Sequence, residues 1–252
     1  YALNELFGLQ LDKMTLARLC LKSENEFAGV KCGILDMFAS LHGKENTAIQ
    51  LDCKTMEHAY LPLPLDEHSI LLFDTNIPHS LANSGEFNKR VASCEKGVEV
   101  LQEINKDITC LRDASFIELN LIKDKLNKTD YDRCHYIVEE TYRYGMAINA
   151  LKQNDIPLFA SYLFETHRGL KDMYGISCPE LDVLIDFAKQ NSTVLGAKLM
   201  GGGYGGCTVN IVKKDSSSQL KYDFKNQYKE KTGNELVVYD VSISNGVSVI
   251  NP

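Results

Sequence analysis

The chain has no tryptophan and only six prolines, and no apolar stretch in it nears the roughly 18 residues that a membrane helix needs. Nor does its N-terminus show a basic segment followed by an apolar one. Membrane insertion and secretion are therefore not expected, and a cytoplasmic location is. A basic excess is missing too: Lys plus Arg number 27 against 34 Asp plus Glu, a net charge of -7. Counterion release at a phosphate backbone then supplies no obvious driving force, so nucleic acid is not an expected partner. The eight cysteines stand singly, without the Cys-x-x-Cys pair that chelates zinc or exchanges disulfides, so reduced thiols are the expectation. The six histidines show no metal-ligand spacing, and neither a Gly-x-Ser-x-Gly elbow nor a Walker phosphate loop is present.

What remains is ordinary globular composition, 44% hydrophobic and 24% charged over 252 residues, enough for one large domain or two modest ones. Ala2/Leu3 and Leu6/Phe7 open the chain at helical spacing with no capping residue ahead of them, so a preceding segment is expected. Gly8 stops that helix and Asp12 can cap the next. Between about Asn46 and Thr75 the period changes to two, the signature of strands, with a proline-rich polar turn at Pro62 to His68. That turn sets the expected domain boundary, 1–66 and 67–252. Helical patterning dominates from Phe87 to Lys189, most clearly over Asp130 to Leu151 with Cys134, Val138, Thr141, Gly145, Ile148 and Leu151 along one face. Val194 to Lys214 returns to strand, and 235–240 with 246–250 read as two strands about an Asn245-Gly246 turn.

Three polar clusters could carry chemistry. Gly201, Gly202, Gly203, Gly205 and Gly206 surround Tyr204, five glycines in six positions, and demand a close approach of backbone to something. The run satisfies Gly-x-Gly-x-x-Gly literally, but a strand, Thr208 to Val212, follows where a dinucleotide fold needs a helix. A wide hairpin and a phosphate or interdomain contact both stay open for it. The second cluster runs from Glu24 through Cys32-Gly33-Ile34-Leu35-Asp36, where Asp36 falls in the first turn of a helix. The dipole steadies a carboxylate there by about 0.3 to 1 kcal/mol, which makes a purely structural role the default. The third is His167-Arg168 near a helix end and Cys178-Pro179-Glu180 at the next helix start, both explained by helix-terminus electrostatics.

Taken together, in this order and at these distances, the three clusters resemble those of the galactokinase branch of the GHMP small-molecule kinase family, over the whole chain. Cys32-Gly33-Ile34-Leu35-Asp36 is similar to its Cys-Gly-Ile-Met-Asp segment. Glu165-Thr166-His167-Arg168 with Ser177 to Asp182, and Gly201 to Cys207, resemble two further motifs. The resemblance implies an α+β fold: the later part of a GHMP-kinase N-terminal domain, then a ferredoxin-like α/β sandwich with extra helices. It implies transfer of the ATP γ-phosphoryl group to the anomeric hydroxyl of galactose with Mg²⁺. Asp36 then faces the sugar hydroxyl, Glu24 is the Mg²⁺ carboxylate, Gly33 packs on the sugar, and the glycine run lies near the active site. Phe87, after Ser84-Gly85-Glu86, stands where the family has a sugar-pocket tyrosine and loses its hydroxyl. Met37, Lys31 and Val91 also depart from the family pattern. The family's sugar-recognition segment and phosphate loop would precede Tyr1, so the chain alone is expected to be inactive and to need that segment as partner. N-acetylgalactosamine is the alternative substrate, and a non-catalytic sugar or nucleotide sensor the alternative role.

Overall fold

Two segments far apart in sequence, Tyr1–Pro64 and Ser242–Pro252, form one unit, and Leu65–Val241 forms the other. The computed structural model of the chain describes residues 1–29, 32–77 and 84–250. Lys31, one of the departures noted above, lies outside the described residues.

In the first unit, α1 (Ala2–Leu6) gives way at Gly8, φ +58°, and the Asp12 carboxylate accepts the Thr15 amide at 2.9 Å to start α2 (Lys13–Lys22). A π-helical turn, Ser23–Phe27, follows. Ile34, Phe38 and Leu41, spaced at i, i+4 and i+7, are buried with Ala17 and turn α3 (Leu35–His42) onto α2. β1 (Thr47–Leu51) and β2 (His58–Pro62) pair antiparallel from Thr47 opposite Pro62 to Leu51 opposite His58. β2 holds α3: His58 meets Phe38 edge-on at 5.0 Å and the Tyr60 hydroxyl donates to the His42 carbonyl at 2.7 Å, while within α3 His42 stacks on Phe38 at 4.3 Å.

The last residues also belong here. The Gly246 amide donates to Gly43 O at 2.7 Å, Val247 N to Ser40 O at 3.0 Å, and Asn245 Oδ1 accepts Glu45 N at 3.0 Å. These bonds draw the tail beside the end of α3, so the boundary expected after Asp66 describes only the first crossing between the units. No strand forms over 246–250. Its amides bond to the α3 end and the residues just after it, leaving the Asn245-Gly246 turn with no second strand.

The second unit is built on an antiparallel sheet of β3 (His68–Asp74), β4 (Val194–Leu199), β5 (Cys207–Lys213) and β6 (Val237–Val241) in the order β4-β5-β3-β6. Helices separate β3 from β4, a hairpin joins β4 to β5, and α9 (Ser217–Thr232) separates β5 from β6. With that order, this is the ferredoxin-like arrangement, enlarged by helices between β3 and β4. Leu71 and Phe73 alternate onto one face of β3 and are fully buried, Phe73 stacked on Phe224 of α9 at 4.6 Å. Each such side chain contributes about 1.5–3 kcal/mol by leaving water. α8 (Pro179–Gln190) adds Leu184, Ile185 and Ala188 to the same core.

The inserted helices are α4 (Ser84–Gln102), α5 (Phe116–Leu121), α6 (Lys128–Lys152) and α7 (Ile156–Gly169). Leu101, Ile108, Leu119, Ile122, Cys134 and Val138 form a second core among the first three of them. Along α6 the buried face differs from the expected one: Gly145 is exposed, whereas Tyr136 and the charged Arg143 are buried. Arg143 is tolerated because Glu139, at 2.7 Å, and Glu140 flank it.

Candidate functional site

Asp36 sits in the first turn of α3 on the face opposite Ile34 and Phe38, and is therefore exposed. Ile34 in the cap position offers no side-chain acceptor to the helix's first amides. An anion presented there meets both those donors and the positive end of the dipole. Gly33 immediately precedes this turn. Among the described residues, a Cβ added to it would meet no atom within 4 Å, so none of them fills the space its hydrogen faces. Glu24 lies in the π-helical turn and is exposed. Among the described residues no group of three or more His, Cys, Asp and Glu could hold a metal ion. A lone carboxylate suits a cation whose remaining ligands come from water and substrate phosphates, as Mg²⁺ ordinarily takes them, and does not suit a dedicated protein cage.

In the second unit the glycine run is the β4–β5 hairpin loop. Gly201, Gly203, Tyr204, Gly205 and Gly206 all have positive φ, from +58° at Tyr204 to +130° at Gly205. The close approach foreseen from the sequence is to the chain itself. A Cβ on Gly203 would lie 1.9 Å from the Ile176 carbonyl, and the Tyr204 amide donates to that carbonyl at 2.8 Å. The loop exit is held by Thr75, whose amide and hydroxyl both donate to Gly206 O, at 3.0 and 2.9 Å. A Cβ on Gly201 or Gly206 meets nothing within 4 Å, so those two are glycine for conformation and open space and not for packing.

Phe87 lies in the first turns of α4, 43% exposed. One turn later is a residue that the sequence did not single out. Arg90 is 3% exposed, and its Nε donates to Tyr174 O at 2.9 Å, its Nη1 to Glu86 O at 2.7 Å, and its Nη2 to Gly175 O and the Tyr204 hydroxyl. The guanidinium also lies 5.3 Å from the Tyr204 ring centre. The only hint in the sequence is a tyrosine set among glycines.

His167 is buried, and not by reason of the helix dipole. Its Nδ1 accepts the Leu199 amide of the edge strand β4 at 3.2 Å, and its Nε2 lies 3.4 Å from Asp182, which Ser177 and Lys171 also contact at 2.6 and 3.0 Å. Burial holds its pKa below the ordinary value, and Asp182 offsets only part of this. Arg168, half exposed, pairs with Glu165 at 2.8 Å. All eight cysteines are free thiols, and burial pushes Cys134 up to about 12. A cavity of about 600 Å³ bounded by Val91, Cys94, Leu111, Ile137 and Tyr174 includes none of the candidate site residues, although Val91 is one of the departures from the family pattern. Among the described residues no helix is long and apolar enough to cross a membrane.

Two family models match the chain: GHMP kinases N-terminal domain over residues 1–44 and GHMP kinases C-terminal over residues 147–230. The chain is 37% identical over 250 residues to the galactokinase of Thermotoga neapolitana, covering 99% of this chain and 69% of that one. The chain belongs to the galactokinases of the GHMP kinase family. It is likewise 37% identical to the Clostridium beijerinckii galactokinase, spanning 64% of it. Its fold superposes on Lactococcus lactis galactokinase complexed with galactose with a TM-score of 0.92, at 32% identity, covering 97% of this chain and 63% of that one. L. major mevalonate kinase, at 19% identity and a TM-score of 0.60, shares the fold.

Proposed function

We propose that this chain carries the proton-accepting carboxylate and part of the sugar and nucleotide sites of a galactokinase, transferring the γ-phosphoryl group of ATP to the anomeric hydroxyl of galactose. The observation that carries the reading is Asp36, exposed in the uncapped first turn of α3 beside a glycine that leaves space, in a chain whose relatives are galactokinases. In the reaction the anomeric oxygen forms its bond to the γ-phosphorus as the bond from that phosphorus to the β–γ bridging oxygen breaks, and ADP leaves. Asp36 accepts the hydroxyl proton as the bond forms. Gly33 lets the sugar come close to the backbone; for Phe87, in the other unit, a part in sugar binding rests on the family resemblance alone. The glycine loop, with open backbone at Gly201 and Gly206, is given a role near the active site by the family resemblance. Glu24 would hold Mg²⁺, which neutralises charge on the phosphates when bound.

This chain spans 69% of the Thermotoga enzyme. The exposed apolar side chains of the first unit, Leu3, Leu6, Phe7 and Phe27, support a preceding segment as the partner that covers them and completes the phosphate site. Phe87 and Met37 favour one second reading, a sugar sensor that binds without turnover.

Asp36→Asn, in the longest natural polypeptide containing this chain, separates the two. As an enzyme it should lose about 10²- to 10⁴-fold in kcat while galactose still binds, read by coupled ADP release and by calorimetry. Unchanged turnover overturns the role given to Asp36. A wild type that binds galactose yet releases no ADP establishes the sensor, and turnover of N-acetylgalactosamine over galactose changes the substrate.

A further inference from the structure

Arginine and lysine carry the same charge, but only the guanidinium projects five N–H donors in a planar fork. At Arg90 that whole fork is engaged. Nε takes Tyr174 O, Nη1 takes Glu86 O and lies 3.5 Å from the Glu86 carboxylate, and Nη2 takes Gly175 O and the Tyr204 hydroxyl. The acceptors belong to three pieces of chain: the first turns of α4, the left-handed turn at Gly175 (φ +70°), and the glycine loop. The Tyr204 hydroxyl accepts from Arg90 and donates a hydrogen bond to Gly175 O at 3.0 Å, which closes the circuit. Tyr204 is the one non-glycine residue of the run Gly201 to Gly206, and its φ of +58° is a conformation that side chains seldom adopt. Such backbone persists where surrounding contacts over-determine it, and here those contacts are the Ile176 carbonyl on the amide and Arg90 on the hydroxyl.

We propose that Arg90 is a positioning residue that sets the glycine loop and the start of α4 together, so that Phe87 and the loop's open glycines are placed by one side chain. The inference rests on the galactokinase reading only for its effect on turnover. The loop's geometry stands apart from it. Two variants separate the two arms of the fork. Tyr204→Phe removes the hydroxyl alone and leaves the bonds to Glu86, Tyr174 and Gly175 in place. Arg90→Lys loosens every arm.

In the full-length protein, Tyr204→Phe should raise hydrogen exchange of the Gly203 to Cys207 amides about tenfold. It should lower kcat by a similar factor, with KM for galactose unchanged. Arg90→Lys should do both and also raise KM for galactose about tenfold or more, because Phe87 moves with the turn. The double variant should be no worse than Arg90→Lys, since the two act through one contact. Loop exchange at the wild-type rate in Tyr204→Phe overturns the proposal, as does a fall in melting temperature with both kinetic constants intact. Should Arg90→Lys not fold, Tyr204→Phe decides alone. Should the wild type not phosphorylate galactose, the functional reading falls and the exchange measurement still decides whether Arg90 sets the loop.

Discussion

Gly33 and Gly203 both lie in stretches that resemble kinase motifs, yet a methyl group added to one enters open space and to the other strikes a carbonyl 1.9 Å away. The two substitutions therefore separate ligand contact from folding. Gly33→Ala should leave the melting temperature within about 2 °C of wild type, as surface changes usually do, while KM for galactose rises severalfold if the sugar packs there. An unchanged KM would place the sugar elsewhere. Gly203→Ala, with φ +82° besides the clash, should cost about 3 kcal/mol or more and lower the midpoint by on the order of 10 °C, measured by calorimetry. The place of Asp36 in the first turn of α3 was legible in the sequence, because a helix start follows from neighbours within one turn, whereas the roles proposed for Asp36 and Gly33 come from the family resemblance. Arg90 was not legible: its partners outside its own helix lie 84 to 114 residues further on, and a single arginine on an amphipathic helix carries no mark of which carbonyls it will find.

At the level of elements, α7 and β4 meet through His167. β4 is at one edge of its sheet, and the imidazole receives one of its edge amides. Protonation would place a hydrogen on the accepting Nδ1 and a charge in a buried site. With the folded pKa depressed below the unfolded value, the stability this residue gives is full above about pH 6.5 and declines as pH falls below it toward the folded value. His42, packed on Phe38 in the other unit, is shifted the same way by burial and the nearby His58. The melting temperature should thus fall from about pH 7 to pH 5, and His167→Asn, which retains an acceptor without the titration, should flatten that slope in part while lowering stability at neutral pH. An unaltered slope would mean that His167 does not titrate with unfolding. The sequence placed His167 near a helix end but assigned it to the dipole, because nothing local shows that a sheet edge will come to rest against it.

Over the whole molecule, the order of strands and helices was readable from the change of period at Asn46, at Phe87 and again at Val194. The destination of the tail was not. β-branched residues at 247–250 resemble a strand, and only the α3 end, with its unpaired carbonyls at Ser40 and Gly43, explains why they bond there. Gly246 makes that docking possible: a Cβ on it would lie 2.5 Å from Leu41 O. Gly246→Ala should therefore detach the tail and speed hydrogen exchange in α3 about tenfold or more, leaving α8 and α9 protected as before. Equal loss of protection in α8 would mean that the chain unfolds as one.

The return of the tail also sets an order in time. During synthesis Tyr1–Pro64 emerges before Leu65–Val241, yet its unit lacks the tail segment until residues beyond Ser242 appear. Leu65–Val241 is continuous and complete before then, so the part made second is the part able to finish first, and Asp36 rests on a unit that closes only when synthesis has passed residue 247.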